Sequence, residues 1–365
     1  MTKKTKALIA VGGTGGHVFP GLNLAEHLME KKYEVTVVSD KRGQKYLNRS
    51  KNLNVLILPS SSFVTKNIFT KIFSLTLIFF SISISLIFLL INRPSIIFGM
   101  GGYASFPICI AASILKIKFL IYENNLIIGK ANKKLLPFAK KILVSYEDLE
   151  GIPEKYKKKV IEIGNIVKKN IINFSKIKNE NIKKKKINLL VLGGSQAAKI
   201  FAEILPEIFK KCSNEGISLK IYQHCLPSQN EKLKNFYEKN KIEFETFNFS
   251  YNLVEYFLKV NLAITRSGSS ILAELTNANI PFISVPLPSS ADNHQLKNSI
   301  FYQKKNLTIL VEEKDLNGKL YSLIRDFDKD RSILDKIEKN QSQYSDKNVY
   351  NNINQILEKI INEKN

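Results

Sequence analysis

Short apolar runs recur along this chain, each followed by a longer segment of mixed apolar and polar residues. A first series falls at 7–11, 34–38, 55–58, 96–99, 119–122 and 141–144, and a second at 188–192, 218–222, 243–247, 262–265, 282–285 and 308–311. Runs that are continuously apolar, not alternating, fit strands buried on both faces, as in a parallel sheet covered by helices. Both series open alike: Val11-Gly12-Gly13-Thr14 and Leu192-Gly193-Gly194-Ser195 put glycines and a hydroxyl between a strand and a helix. The pattern predicts an α/β protein of two doubly wound domains, and 365 residues exceed what one core usually holds. The Lys- and Asn-rich stretch 168–186, ending in Lys183-Lys184-Lys185-Lys186, reads as the linker or a long surface loop, with the domains at 1–166 and 167–344. In the tail, 345–365, Val349, Ile353, Ile356, Leu357, Ile360 and Ile361 keep helical spacing, which predicts a last amphipathic helix packed on a domain.

One segment departs from this soluble pattern. Residues 72–91 hold 20 residues without a charge, and a helix of that length, about 30 Å, would cross a bilayer. The apolar runs before and after it read as strands of one sheet, which a crossing would divide between two sides. The favoured reading is a helix packed on the sheet with an outer face touching lipid, flanked by Lys66, Lys71 and Arg93 for lipid phosphates.

Candidate chemistry gathers where strands end. Gly12-Gly13-Thr14-Gly15-Gly16-His17 gives backbone freedom before a helix whose first amides suit an oxyanion. It has neither the GxGxxG order of a dinucleotide fingerprint nor the ending of a P-loop. A neutral His17 imidazole there can accept a proton, or the residue can simply cap the helix. Gly99-Met100-Gly101-Gly102-Tyr103-Ala104-Ser105 is either a second ligand turn or a tight strand–helix connection. Glu123 and Asn125, in Tyr122-Glu123-Asn124-Asn125, are of a type that hydrogen-bonds sugar hydroxyls. Gly193-Gly194-Ser195-Gln196 repeats the phosphate-type turn in the second half. Thr265-Arg266-Ser267-Gly268-Ser269-Ser270 leads a helix with Glu274 one turn in, placed to accept ribose hydroxyls or to pair with Arg266. A polar loop, 286–298, offers His294, Gln295 and Asn298 to a cleft.

Charge and cysteine narrow the field. The formal net charge of +23, from 55 Lys+Arg against 32 Asp+Glu, favours nucleic acid, anionic lipid or phosphorylated partners. Cys109, Cys212 and Cys225 are widely spaced, without a CxxC, which argues against a disulfide framework or a structural zinc site and fits a reducing compartment.

Taken in order, GGTGGH, GMGGYAS, ENN, GGSQ, TRSGSS…E and ADNHQLKN resemble the MurG family, from about residue 6 to 298. That resemblance implies a GT-B fold, two Rossmann-like domains facing a cleft, and transfer of N-acetylglucosamine from UDP-GlcNAc onto lipid I, the undecaprenyl-pyrophosphoryl-MurNAc-pentapeptide, to give lipid II. It implies inversion at the sugar's C1 without metal or cofactor. It also implies a peripheral place on the inner face of the cytoplasmic membrane, with an anionic membrane surface and other cell-wall synthesis proteins as partners and no nucleic acid. Residue by residue, it assigns Thr14, Gly15 and Gly16 to the donor UDP-GlcNAc, in a loop near donor and acceptor phosphates, and His17 to the acceptor hydroxyl as base. Asn125 and Gln295 fall to the GlcNAc hydroxyls, Ser195 and Lys168 to the donor phosphates, Ser250 to the uracil, and Ser269 and Glu274 to the nucleotide, with Glu274 on the ribose. Where the family has GNPVR this chain has Gly164-Asn165-Ile166-Val167-Lys168, so a bidentate clamp becomes a point charge. Its rivals are a UDP-GlcNAc epimerase, a related glycolipid synthase and a non-catalytic anchoring subunit; the apolar segment disfavours the first, and motifs in both halves disfavour the last.

Overall fold

The computed structural model describes residues 5–47, 53–60, 68–174, 186–194, 198–250 and 252–362. Lys66, Lys183 to Lys185, Ser195 to Ala197 and Tyr251 lie outside the described residues. The chain divides into two compact units, Met1–Ile166 with Lys347–Asn365, and Val167–Asp346.

The first unit carries β1 (Lys6–Ala10), β2 (Glu34–Ser39), β3 (Asn54–Ile57), β4 (Ile96–Gly99), β5 (Phe119–Glu123), β6 (Lys141–Val144) and β7 (Val160–Glu162). They form one parallel sheet in the order β3-β2-β1-β4-β5-β6-β7. The second carries β8 (Ile187–Leu192), β9 (Leu219–His224), β10 (Glu243–Phe247), β11 (Leu262–Arg266), β12 (Phe282–Val285) and β13 (Ile309–Leu310), parallel in the order β10-β9-β8-β11-β12-β13. Each expected strand is present; β7 was not anticipated. It is a three-residue edge strand behind Lys157, Lys158 and Lys159, without an apolar run to announce it.

Both sheets reverse direction once, between β1 and β4 in the first unit and between β8 and β11 in the second. At such a switch point the connections leave in opposite directions and open a crevice at the strands' carboxyl ends. GGTGGH follows β1 and GMGGYA follows β4; GGS follows β8 and RSGSS follows β11. The topology therefore brings the glycine- and serine-rich turns together in pairs.

The apolar segment forms the helix Ile68–Asn92 between β3 and β4, two strands of one sheet. Its buried positions are Ser74, Ile78, Ser81, Ser85 and Leu89, while Phe69 (77%), Phe79 (73%) and Ile91 (77%) stand exposed with Phe73, Phe80, Ile87 and Leu90. The usual amphipathic order is inverted. Serines allow close approach, and their hydroxyls are satisfied: Ser81 donates to the Pro59 carbonyl and Ser85 to the Ser81 carbonyl at 2.6 Å.

The last helix, Val349–Asn362, belongs to the first unit although the second intervenes in sequence. Its buried stripe is Val349, Tyr350, Ile353, Leu357 and Ile360. The His27 ring packs against Tyr350, tilted by 39° with centroids 4.5 Å apart, and bonds Asn354 Oδ1 through Nε2 at 2.9 Å; Lys118 Nζ caps the far end on the Ile360 carbonyl at 3.0 Å. At the other crossing the linker expectation needs correcting at its first residues, 168–174; 175–185 lie outside the described residues. Ile171, Ile172 and Phe174 are buried in the second unit, where Phe174 meets the Phe257 ring at 6.1 Å, because three apolar side chains among the lysines gain more from packing than from solvent.

Candidate functional site

In the first unit the two glycine turns touch backbone to backbone. A Cβ on Gly102 would lie 2.5 Å from the Gly12 carbonyl oxygen, and one on Gly12 2.7 Å from Ala104 Cβ. Gly101, at φ +91°, supports the half-buried imidazole of His17, and a Cβ there would come within 2.9 Å of its Cε1 and Nδ1. Glycine at 101 is thus required twice, by its left-handed backbone and by the ring lying on it. Thr14 is the extended N-cap of the helix Gly15–Glu30 and its side chain makes no capping bond; Thr14 and Gly16 are exposed and Gly15 is buried.

Pro20 lies inside this helix and has no N–H for the carbonyl of Gly16 one turn earlier. Asn124 Nδ2 donates to that carbonyl instead, at 3.0 Å, tying the loop after β5 to the glycine turn. Glu123 does not face a sugar, as its sequence context suggested. It is buried, and its two oxygens accept from the Asn125 backbone (3.1 Å), Asn125 Nδ2 (3.0 Å), the Gly129 backbone (2.8 Å) and Asn132 Nδ2 (3.0 Å). A buried carboxylate needs such donors, so Glu123 folds the loop that presents Asn125. Asn125 Nδ2 also bonds Asn124 Oδ1 at 3.1 Å.

The sequence reading overlooked Asp40, at the end of β2. It accepts from the Gly13 backbone at 3.3 Å, the Gly43 backbone at 2.8 Å, Ser60 Oγ at 2.8 Å and the Arg42 guanidinium at 2.7 Å. Burial raises its pKa, but bonds from Arg42, Gly43 and Ser60 outweigh that and hold it below the ordinary carboxylate value. An acid at the end of the second strand was the available signal; in dinucleotide folds that position reaches a ribose, whereas here it pins the glycine turn.

In the second unit the helix Ser269–Asn277 opens behind Gly268, with Ser269 buried and Glu274 half-buried. Desolvation raises the Glu274 pKa to about 7, against the pull of Lys168, whose ammonium lies near enough to act on it. Pairing of Glu274 with Arg266 is closed off. Arg266 is buried over the Phe201 ring, donates to the Val285 and Pro286 carbonyls, and forms its ion pair with Glu313. Gln295 Oε1 accepts from the Ser267 and Leu287 backbones at 3.2 and 3.0 Å, Asn298 Nδ2 donates to the Ser267 carbonyl at 3.1 Å, and Ser299 bonds Ser267 Oγ at 2.6 Å. Asn298 is therefore a buried brace of the serine turn and not the exposed ligand its loop suggested.

Ser250 lies beyond β10, where its Oγ accepts from the Asn252 backbone at 3.2 Å. Aromatic rings lead up to it, with His224 stacked on Phe247 at 5.7 Å and edge-on to Phe249 at 6.3 Å; burial lowers the His224 pKa to about 4. At the lost proline, the Ile166 amide donates to Tyr122 Oη at 3.0 Å, a bond that proline would forgo. His17, Thr14, Gly15, Gly16 and Asn125 are thus grouped in the first unit. In the second, Lys168 acts on Glu274 electrostatically, Ser269 and Gln295 share the serine turn, and Ser250 follows β10.

Two doubly wound parallel-sheet units, each with its ligand-type turns at the switch point, are the architecture of the GT-B class. The profile of the glycosyltransferase family 28 N-terminal domain matches residues 7–144, and that of the family 28 C-terminal domain residues 188–356. The UDP-N-acetylglucosamine–N-acetylmuramyl-(pentapeptide) pyrophosphoryl-undecaprenol N-acetylglucosamine transferase of Pelagibacter ubique is 37% identical over 362 residues, covering 98% of this chain and 99% of that relative. Its counterpart in Rickettsia felis is 36% identical over 344 residues, covering 92% and 94%. The crystal structure of Acinetobacter baumannii MurG shares the fold at a TM-score of 0.76 and 20% identity, covering 98% of this chain and all of that one. The chain belongs to the MurG family within glycosyltransferase family 28.

Proposed function

We propose that this protein transfers GlcNAc from UDP-GlcNAc to the C4 hydroxyl of MurNAc in undecaprenyl-pyrophosphoryl-MurNAc-pentapeptide, with inversion at the transferred carbon. Family membership supports the reaction, and the observation that carries the site is the His17 imidazole resting on Gly101 at the first unit's switch point. His17 takes the proton of the acceptor hydroxyl as its oxygen attacks C1 of GlcNAc, and UDP leaves from the opposite face. Thr14, Gly15 and Gly16 serve the phosphates beside it, and Asn125 and Gln295 the GlcNAc hydroxyls. In the second unit Ser269 and Glu274 take the ribose end, Ser250 the uracil, and Ser195 with Lys168 the departing diphosphate, whose charge the helix-terminal amides offset.

The acceptor is a lipid, and the inverted helix Ile68–Asn92 supports peripheral attachment to the cytoplasmic face of the membrane. Its outward phenylalanines and isoleucines supply an apolar contact, and Lys71 and Arg93 at its ends an attraction to anionic headgroups. The test is incubation with labelled UDP-GlcNAc and a panel of polyprenyl-linked acceptors. Transfer to the MurNAc-pentapeptide lipid, falling about a hundredfold in His17→Ala with donor binding retained, is expected. Transfer only to another lipid-linked sugar would replace this acceptor, and an active His17→Ala would leave His17 a cap.

A further inference from the structure

Arg42 has no part in the reaction as described, yet it stands beside the first glycine turn. It sits in the short helix Lys41–Leu47, directly after β2, with a side chain 56% exposed. Nε and Nη2 donate to the same oxygen of Asp40, at 3.1 and 2.7 Å, and the other Asp40 oxygen holds the Gly13 and Gly43 backbones. The Arg42 Cζ lies 5.9 Å from the centre of the Tyr103 ring, and Nη2 is 3.9 Å from where a Gly13 Cβ would be. The guanidinium therefore lies between the turn after β1 and the turn after β4. Among the described residues its Nη1 makes no hydrogen bond.

A partly exposed ion pair adds little to stability, and Asp40 keeps three other donors without Arg42. What the pairing does achieve is orientation. A guanidinium is a planar fork, and once two of its donors are fixed on Asp40 the direction of the remaining N–H groups is fixed too. A fork held at constant angle beside a glycine turn matches two phosphate oxygens better than a mobile ammonium does. Both substrates in the proposed reaction carry a diphosphate, and the departing donor diphosphate falls chiefly to Ser195 and Lys168.

We propose that Arg42 binds the diphosphate of the lipid-linked acceptor and, aligned by Asp40, makes the protein select a diphosphate over a monophosphate linker. This rests on the proposed transferase reading. The experiment uses the full chain in detergent micelles, UDP-GlcNAc, and two short-chain polyprenyl acceptors with the same sugar and peptide, one linked through a diphosphate and one through a monophosphate. Wild type should prefer the diphosphate. Arg42→Gln should raise KM for that acceptor about tenfold, leave donor KM and Tm unchanged, and bring the two acceptors nearly level. Arg42→Lys should restore part of the affinity and little of the selectivity, since charge returns without the fork. Equal effects on both acceptors, a rise in donor KM, or full selectivity in Arg42→Gln overturns the role of Arg42 while leaving the transferase reading intact. Failure of wild type on both acceptors overturns that reading and this inference with it.

Discussion

Glu274, in the role proposed for it, would serve the donor site at some cost to the fold. Its pKa stands near 7 because burial disfavours the charged carboxylate more than Lys168 favours it. Below its ordinary value of 4.5 the group is protonated in folded and unfolded chains alike. As pH rises from there to about 7 the unfolded chain releases the proton and the folded one keeps it, so stability falls through that window and then levels. In the proposed site ribose hydroxyls donate to the carboxylate, so donor binding should strengthen over the pH range where stability has already been lost. Between about pH 6 and 8 the donor KM of wild type should fall by up to tenfold, following the ionised fraction, and that of Glu274→Gln should stay flat. The variant should also melt higher than wild type at pH 8, by on the order of 2–4 °C, and not at pH 5. A flat wild-type profile would show that Glu274 ionises normally or does not touch the donor. Glu274 and its helix start were readable from sequence as serine turn plus acid. Its neighbour Lys168 was read as a phosphate ligand only, since nothing in a linear chain says that residues 106 apart share an electrostatic environment.

The helix Ile68–Asn92 is the element whose sequence and structure are hardest to reconcile with a soluble protein. Its composition alone satisfies the test for a membrane span, with mean hydropathy 2.6 over its most apolar window. What decides its place is connectivity, since β3 and β4 at its two ends lie in one sheet. The side chains then sort against expectation: Ser74, Ser81 and Ser85 face the protein, where the last two find carbonyls, and Phe69, Phe73, Phe79 and Phe80 face out, where the proposed membrane attachment would cover them. Two substitutions separate the faces. Phe79→Glu should abolish flotation with anionic vesicles while leaving Tm and transfer to a short-chain soluble acceptor nearly unchanged, because a charge at the interface removes the apolar contact only. Ser81→Leu should lower stability by about 1–3 kcal/mol through overpacking, and should leave vesicle binding in the folded fraction. Vesicle binding indifferent to Phe79→Glu would assign the outer face to something other than lipid.

At the scale of the molecule, the chain leaves the first unit after Ile166 and returns to it at Lys347. The returning helix is no appendage: Val349, Ile353, Leu357 and Ile360 are buried, each worth about 1.5–3 kcal/mol, and His27 loses its partners Asn354 and Tyr350 if the helix is removed. Truncation before Lys347 should therefore abolish the thermal transition of the first unit, and with it transfer. UDP binding, which the proposed site places on residues of Val167–Asp346, should survive in calorimetry. A truncated chain that melts and transfers like wild type would make the helix dispensable. The formal charge of +23 adds to attraction for an anionic surface at this scale, over distances that salt shortens.

By itself the sequence determined what is local or periodic. Parallel strands are buried on both faces, so their apolar runs are continuous and visible; the glycine turns and helix starts follow them within a few residues; and the order of the motifs carries the family. Tertiary structure alone decided the long-range partners. Asp40 holding Gly13, Asn124 supplying the donor that Pro20 lacks, Arg266 turning to Glu313 and Asn298 bracing the serine turn join residues from different strand ends, while buried Glu123 folds its own loop instead of facing ligand. A polar residue after a strand has the same sequence signature whether it is a ligand or a brace. The difference lies in whether burial forces it to spend its hydrogen bonds within the protein, and burial is set only when the sheet has assembled.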